Sequence, residues 1–340
     1  MSPKLLLTGA TGYVGGHVLA HLVAFNSPSK LDLSAFVRKQ SDADKLVSVY
    51  GSNVSVVLGP NAYEDPAFAS AVAEADIVLH LGNAADDPVS ADLIAAKIKD
   101  GALLIHISGS FVLSDFSKLD QALTTPVDDI KDIKTITSLP ESQPHRDIDI
   151  KVLDLSKKRP NVKTLIVCPP LIYGPSKSIG HKASIQIPLL IKIASIAKAN
   201  KVFGTGNAIW STVHLSDLAN FFVTLVSTYI SDPSKLSYND EGYYFVASEQ
   251  RSWGEIVAAL DAPLVHYGVI PSENVSSKEP AWTADSFTIL GDKSSYVYSL
   301  FTSNSVTEPS RAKKLGWKPV NAGLLAEIGP MVKLFSDGVE

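Results

Sequence analysis

An apolar run, Leu5-Leu6-Leu7, leads directly into Thr8-Gly9-Ala10-Thr11-Gly12-Tyr13-Val14-Gly15. Glycines three apart between a strand and a helix restrict what this chain can fold into more than any other feature. Gly9 permits a tight turn, Gly12 lets the backbone approach a pyrophosphate, and Gly15 lets the next helix pack closely on the strand. A helix starting here turns its free N–H groups and positive dipole end toward phosphates. Val14, Val18, Leu19, Leu22 and Val23 follow at helical spacing. Thr11, Tyr13 and Val14 therefore join the three glycines as candidate cofactor-contacting residues.

The rest of the first half repeats the pattern of apolar run and helix. Strands are expected at 33–37, 54–58, 77–81, 103–107 and 165–168, with helices such as 89–99 and 144–158 between them. Apolar strands alternating with helices imply parallel strands covered on both faces, a doubly wound α/β sheet. After Pro170 the pattern loosens into shorter elements rich in proline, serine and aromatics, with a late strand at 243–246. The expected division is a dinucleotide-binding domain over 1–173 and roughly 202–250, interleaved with a smaller substrate-binding region over 174–201 and roughly 251–340.

Composition narrows the class. With 45% hydrophobic residues in 340, the chain can bury one large core or two modest ones. A net charge of −5 without a basic stripe argues against nucleic acid as partner. The apolar stretches are too interrupted to cross a bilayer, and the first is needed as a strand rather than as a signal peptide. The single cysteine, Cys168, forms no intramolecular disulfide and suits a reducing, cytoplasmic setting.

Five blocks resemble the extended and atypical short-chain dehydrogenase/reductases, the group of NAD(P)-dependent epimerases, dehydratases and reductases. They are the glycine turn, Ile107-Ser108-Gly109-Ser110, Cys168-Pro169-Pro170-Leu171-Ile172-Tyr173-Gly174-Pro175, Val213-His214-Leu215-Ser216-Asp217-Leu218-Ala219 and Leu315-Gly316-Trp317-Lys318-Pro319. The resemblance spans nearly the whole chain. It implies a nicotinamide cofactor, a small-molecule substrate and a possible homodimer through two helices of the main sheet. It also places cofactor contacts at Leu81, Gly82 and Asn83, and at Ser108, Pro169 and Ile172.

An acidic residue after the second strand normally bonds the ribose 2′-hydroxyl of NAD. Here that strand ends Phe36-Val37-Arg38-Lys39, without Asp or Glu. A guanidinium at Arg38, with Lys39 beside it, can clamp a 2′-phosphate, so NADP(H) is the expected cofactor. Asp86 and Asp87 read as a solvated loop, with an acidic site as the alternative.

The resemblance implies a catalytic Ser or Thr after the fifth strand, matched by Ser110, and a Tyr-x-x-x-Lys on the next helix. That tyrosine is missing: no Tyr lies between Tyr63 and Tyr173. The segment instead reads Glu141-Ser142-Gln143-Pro144-His145-Arg146-Asp147-Ile148-Asp149. His145 falls near the usual lysine and is the candidate acid, because an imidazole titrates near neutrality and donates a proton readily. Asp149, one turn on, is expected to orient it. Ser142 is expected to cap the helix with Pro144 in its first turn, and Arg146 to meet a substrate carboxylate or cofactor phosphate. Tyr173 is a second candidate donor, with a packed loop aromatic as its alternative. Ser216 or Asp217 is expected to cap a later helix, and Trp210 to be a core aromatic. His181, Lys182 and Gln186 suggest a polar ligand. His17 and His21 have zinc-compatible spacing but no third ligand, so no metal is expected.

The leading expectation is an NADP(H)-dependent oxidoreductase of a small or medium carbonyl or alcohol. The alternatives are a non-redox epimerase, dehydratase or isomerase that uses bound cofactor, and an NADP(H)-sensing regulator without catalysis.

Overall fold

The computed structural model describes residues 2–26 and 30–338. Its strands are β1 (Lys4–Leu7), β2 (Asp32–Val37), β3 (Ser55–Leu58), β4 (Ile77–His80), β5 (Leu103–Ile107) and β6 (Val127–Asp128). They continue with β7 (Lys163–Cys168), β8 (Leu171–Tyr173), β9 (Ile209–His214), β10 (Tyr243–Phe245), β11 (Glu249–Ser252) and β12 (Thr307–Glu308). The helices of the first half are α1 (Tyr13–Phe25), α2 (Gln40–Tyr50), α3 (Pro66–Glu74), α4 (Pro88–Lys97), α5 (Ile133–Thr137) and α6 (Arg146–Lys158). Those of the second half are α7 (Gln186–Ala197), α8 (Leu215–Ser231), α9 (Trp253–His266), α10 (Ser294–Thr302), α11 (Ser310–Lys314) and α12 (Leu324–Ser336).

Seven strands form one sheet in the order β10-β7-β5-β4-β1-β2-β3, every pairing parallel. This is the doubly wound α/β sheet. The apolar runs are buried on both faces because helices cover both sides. One core, under α1 and α8, gathers Leu5, Leu7, Leu79, Ile105 and Phe222. The other, under α3, α4 and α6, gathers Leu6, Phe68, Val78, Ile94 and Ile166. Chain direction across the sheet reverses between β1 and β4, so the crevice beyond the carboxyl ends of these strands is where such sheets bind ligands.

A third core lies among α7, α9, α10 and α12, around Trp253, Phe301, Ile187 and Leu324. Its sheet is β11-β9-β8. The segments 171–173 and 209–214 thus pair with one another and with β11 rather than with the large sheet. Among the described residues, no helix is long and apolar enough to cross a membrane.

Helix starts differ in a way that bears on the site. Asp65 caps α3 and Asp87 caps α4, each followed by proline, and Ser252 with Glu255 forms a reciprocal cap on α9. The first turn of α1 has neither a side-chain cap nor an acidic residue. His214, rather than Ser216 or Asp217, caps α8 through Nδ1, which accepts the Ser216 N–H at 3.1 Å. The Asp217 carboxylate instead accepts from Val320 and Asn321, and its carbonyl accepts from Trp317 Nε1 at 2.9 Å, which ties the 315–319 block to α8.

Candidate functional site

The glycine turn is shaped by close backbone contacts. Gly9 has φ +77°, and a Cβ on it would lie 2.7 Å from the Gly82 Cα. A Cβ on Gly15 would lie 2.3 Å from the Gly9 carbonyl oxygen. Distances this short are excluded for any side chain, so glycine is required at both positions. Thr8, fully buried, accepts the Leu81 and Gly82 N–H groups at 3.0 and 3.1 Å and locks the turn after β1 to the turn after β4. Asn83 completes that second turn in the left-handed region, at φ +51°. Gly12 immediately precedes α1, Val14 packs into the first core, and the Tyr13 hydroxyl donates to the Gly174 carbonyl at 2.6 Å.

The segment after β8 lies against this turn. The Thr11 carbonyl accepts from Ser178 Oγ and from the His181 N–H, both at 3.0 Å, and Ser176 Oγ donates to the Tyr13 carbonyl at 2.8 Å. His17 Nδ1 accepts the Lys177 N–H at 3.0 Å, and its Nε2 pairs with Ser216 Oγ at 3.1 Å. His21 pairs with Asn220. These two histidines therefore bind the α1 face to its neighbours. Next to the segment, a cavity of about 500 Å³ is lined by Ile185, Leu189, Met331 and Phe335, with His181 and Lys182 among its polar residues. Gln186 opens α7 with a buried, unpartnered amide nitrogen.

At the end of β2, Arg38 and Lys39 are exposed, and among the described residues neither pairs with a carboxylate. Tyr63 stands nearby, donating to the Gly82 carbonyl at 2.9 Å and packing with Phe36 and Phe68. Burial pushes the Tyr63 phenol up to about 12, while the Arg38 cation pulls it the other way.

The start of α6 departs from expectation. His145, not Ser142, is the residue before the helix, and Pro144 lies outside it. His145 takes a left-handed φ of +66°, an uncommon conformation for a side-chain-bearing residue. Its ring lies over Gly109, where a Cβ would come within 3.1 Å of both Nε2 and Cδ2. Nδ1 pairs at 2.8 Å with Oδ1 of Asp86, from the loop after β4. Asp86 thus orients His145 while its own side chain stays 60% exposed in the loop, a contact the solvated-loop reading did not include. The hydrogen bond from His145 holds the Asp86 carboxyl below its usual value. The imidazole is 18% exposed, so it is sheltered but open to the cleft. Phe111 stands edge-on to it, centroids 6.3 Å apart, with Tyr296 5.9 Å beyond.

Asp149 does not orient His145. It is fully buried and accepts from the Tyr243 hydroxyl at 3.1 Å. Arg146 is also buried: Nε donates to the Leu139 carbonyl, one terminal nitrogen to Tyr243 Oη at 2.7 Å, and the other to the Thr137 carbonyl. That guanidinium is fully used inside the protein, away from substrate and phosphate.

Ser108 and Ser110 flank Gly109. The Ser110 N–H donates to the Pro169 carbonyl at 3.0 Å, joining the turns after β5 and β7, and its hydroxyl pairs with Ser305 Oγ at 2.6 Å. The Ser108 hydroxyl is buried and without a hydrogen-bond partner. Ile172 lies in β8, half-buried against the first core. Tyr173 donates its hydroxyl to the Ala322 carbonyl at 2.8 Å and is 1% exposed. Trp210 is buried, donating to the Ser303 carbonyl.

No family model matches the chain. The oxidase ucsJ of Acremonium sp is 27% identical across 98% of this chain and 97% of its own length. Among solved structures, Gre2 of Candida albicans superposes with a TM-score of 0.63 at 14% identity, covering 99% of this chain and all of the other. The dTDP-glucose 4,6-dehydratase of Bacillus anthracis, solved with NAD, gives 0.61 at 12% identity over 99% and 97% of the two chains. The UDP-glucose 4-epimerase of Thermotoga maritima, solved with UDP-glucose, gives 0.59 at 14% over 99% and 100%. The chain shares with these enzymes the fold of a parallel sheet covered by helices on both faces.

Within that fold, two features escape a reading of motifs. Asp86 meets His145 from 59 residues away, and nothing in either local sequence announces the pairing. The histidines of β4 and β5, His80 and His106, are register partners with rings in contact, yet each looks like one polar residue in an apolar strand. Their alignment in neighbouring strands was the available signal.

Proposed function

We propose that this chain is an NADP(H)-dependent oxidoreductase of small or medium carbonyl or alcohol substrates, with the Asp86–His145 pair supplying the proton. The pairing of His145 Nδ1 with Asp86 above Gly109 carries the reading. It leaves Nε2 beside the turn after β5, where the resemblance implies the catalytic serine.

The residues present fit a phosphorylated dinucleotide. The uncapped first turn of α1 offers free N–H groups to a pyrophosphate. Arg38 and Lys39 offer two exposed cations where NAD-selective sites place an acid. The cofactor, when bound, supplies or accepts the hydride. His145 Nε2 gives its proton to the substrate oxygen in reduction and takes it back in oxidation. Asp86 fixes the ring tautomer with a proton on Nδ1, leaving Nε2 as the exchanging atom. Phe111 stands edge-on to the imidazole and Tyr296 edge-on to Phe111, and the two rings offer an apolar surface to a substrate. The hydroxyls of Ser110 and Tyr173 are committed to Ser305 and Ala322, so we assign them to holding the cleft. The Acremonium relative carries a redox name, in agreement with this chemistry. The lone buried Cys168 accords with a cytoplasmic setting.

The test is a carbonyl panel assayed with 4-deuterated NADPH. Deuterium in the alcohol product is expected with wild type, and its rate of appearance is expected to fall in His145→Ala. Transfer at the wild-type rate in that variant overturns the assignment.

A further inference from the structure

Two helices of the C-terminal half are apolar on more than the side they bury. Ile187, Leu190 and Ile191 of α7 and Leu324, Ile328 and Val332 of α12 pack into the third core. Pro188 and Leu189 of α7, with Met331, Leu334 and Phe335 of α12, line a cavity of about 500 Å³ instead. Ile185, just before α7, joins them and is 79% exposed. A helix apolar on two sides and packed on one presents water with a surface it solvates poorly. The volume lies within the roughly 300–1,000 Å³ of small-molecule sites.

The charged lining of this cavity is of one sign. Lys182, Lys192 and His181 are its basic residues, and no Asp or Glu lines it among the described residues. Lys192 and His181 are exposed. Lys182 Nζ donates to the Ser178 carbonyl, which leaves two of its three protons for another acceptor. Glu327, one turn before Met331 on α12, acts on the Tyr13 phenol but is not a wall residue. Apolar walls beside two ammonium groups match a ligand with a hydrocarbon body and one anionic end. A second copy of this chain matches poorly, because a two-fold pairing sets the same basic groups against one another. The cavity shares no residue with the group around His145, formed by Asp86, Gly109, Phe111 and Tyr296.

We propose that this cavity is a second binding site, for an amphiphilic anion with a medium-length hydrocarbon chain. The chain lies between α7 and α12, and the anionic head meets Lys182 and Lys192. Such a ligand is linked to the glycine turn. Tyr13, the first residue of α1, lines the cavity and donates to the Gly174 carbonyl at 2.6 Å. The Thr11 carbonyl accepts from Ser178 Oγ and from the His181 N–H, both at 3.0 Å. A ligand that fixes Lys182 and His181 holds this segment on the turn. Occupancy is therefore expected to tighten NADP(H) binding, and NADP(H) to tighten occupancy by the same factor. The site itself does not rest on the oxidoreductase reading; the linkage rests on the cofactor part of it.

Calorimetric titration of the full chain with octanoate, decanoate and decan-1-ol, each below its micellar concentration, tests the site without any turnover. Decanoate is expected to bind once per chain, roughly tenfold more tightly than octanoate and roughly tenfold more tightly than decan-1-ol. Leu334→Trp, which fills the cavity, is expected to abolish decanoate binding. Lys192→Glu, on an exposed side chain, is expected to weaken decanoate about tenfold and leave decan-1-ol unchanged. Decan-1-ol binding as tightly as decanoate, or decanoate undiminished in Lys192→Glu, overturns the site. So does a dimer in sedimentation that Leu334→Trp dissociates while wild type binds no decanoate, which assigns the face to a second copy. Saturating decanoate is expected to raise NADPH affinity about fivefold by fluorescence titration. An unchanged NADPH affinity overturns the linkage. Absence of NADPH binding overturns the cofactor reading alone, and the decanoate titration still decides the site.

Discussion

The turn after β1 and the start of α6 face the same cleft, and they are built by opposite means. Backbone shapes the turn: Gly9, Gly15 and Gly82 approach one another closer than any Cβ allows, and side-chain bonds from Thr8, Tyr63 and Ser178 fasten it. Side chains shape the start of α6: a left-handed histidine lies over Gly109 and is held by a carboxylate from another loop. A backbone-built site tolerates one residue type at each close approach. A side-chain-built site keeps its place in the fold while the residue types filling it change. That difference accounts for a chain that retains the glycine turn and lacks the Tyr-x-x-x-Lys pair.

The contrast breaks most readily at Gly15. Gly15→Val is expected to abolish measurable NADPH binding and to destabilise the fold by roughly 2–4 kcal/mol, read by fluorescence titration and chemical denaturation. An unaltered affinity would mean that the turn bends more easily than its contacts imply. Next comes His145→Ala, expected to reduce turnover by roughly 10²- to 10⁴-fold with little change in NADPH affinity. If affinity falls in proportion instead, His145 belongs to cofactor binding. Arg38→Ala is expected to weaken NADPH binding by roughly 10- to 100-fold and to leave NADH binding unchanged. Equal losses for the two cofactors would refute a 2′-phosphate contact. Asp86→Asn, which keeps the size but not the charge, is expected to lower turnover by about tenfold.

The smallest effect concerns pH and stability. Burial lowers His80 from 6.5 to about 3, so its contribution is complete above pH 6.5 and fades as pH falls toward 3. Burial raises Asp149 from 3.8 to about 6, so its contribution is complete below 3.8 and is lost as pH rises through 6. Asp149→Asn is therefore expected to remove part of the decline in denaturation midpoint between about pH 4 and 6. His80→Phe is expected to flatten the decline on the acid side.

The same contrast explains what could be read from residues alone. Alternating apolar runs and helices disclosed the parallel sheet, and the spacing of Gly9, Gly12 and Gly15 disclosed the turn, because both follow from neighbours along the chain. The start of α6 yielded a candidate, His145, without its partner. Asp149 looked suitable because it lies one helical turn away, yet its side chain turns inward to Tyr243. Asp86 approaches from across the cleft, and only the folded chain brings it there. Ser110 and Tyr173 occupy motif positions, but their hydroxyls meet Ser305 and Ala322 from the C-terminal half, contacts that no local pattern encodes.

The most direct test of the central claim is a crystal structure of the protein with NADP⁺. The expected result has the 2′-phosphate on Arg38 and His145 Nε2 within about 3 Å of a carbonyl oxygen placed beside nicotinamide C4. A nicotinamide whose C4 faces away from His145, with the histidine still bound to Asp86 and out of reach, would contradict the proton-transfer role and return the pair to structural duty.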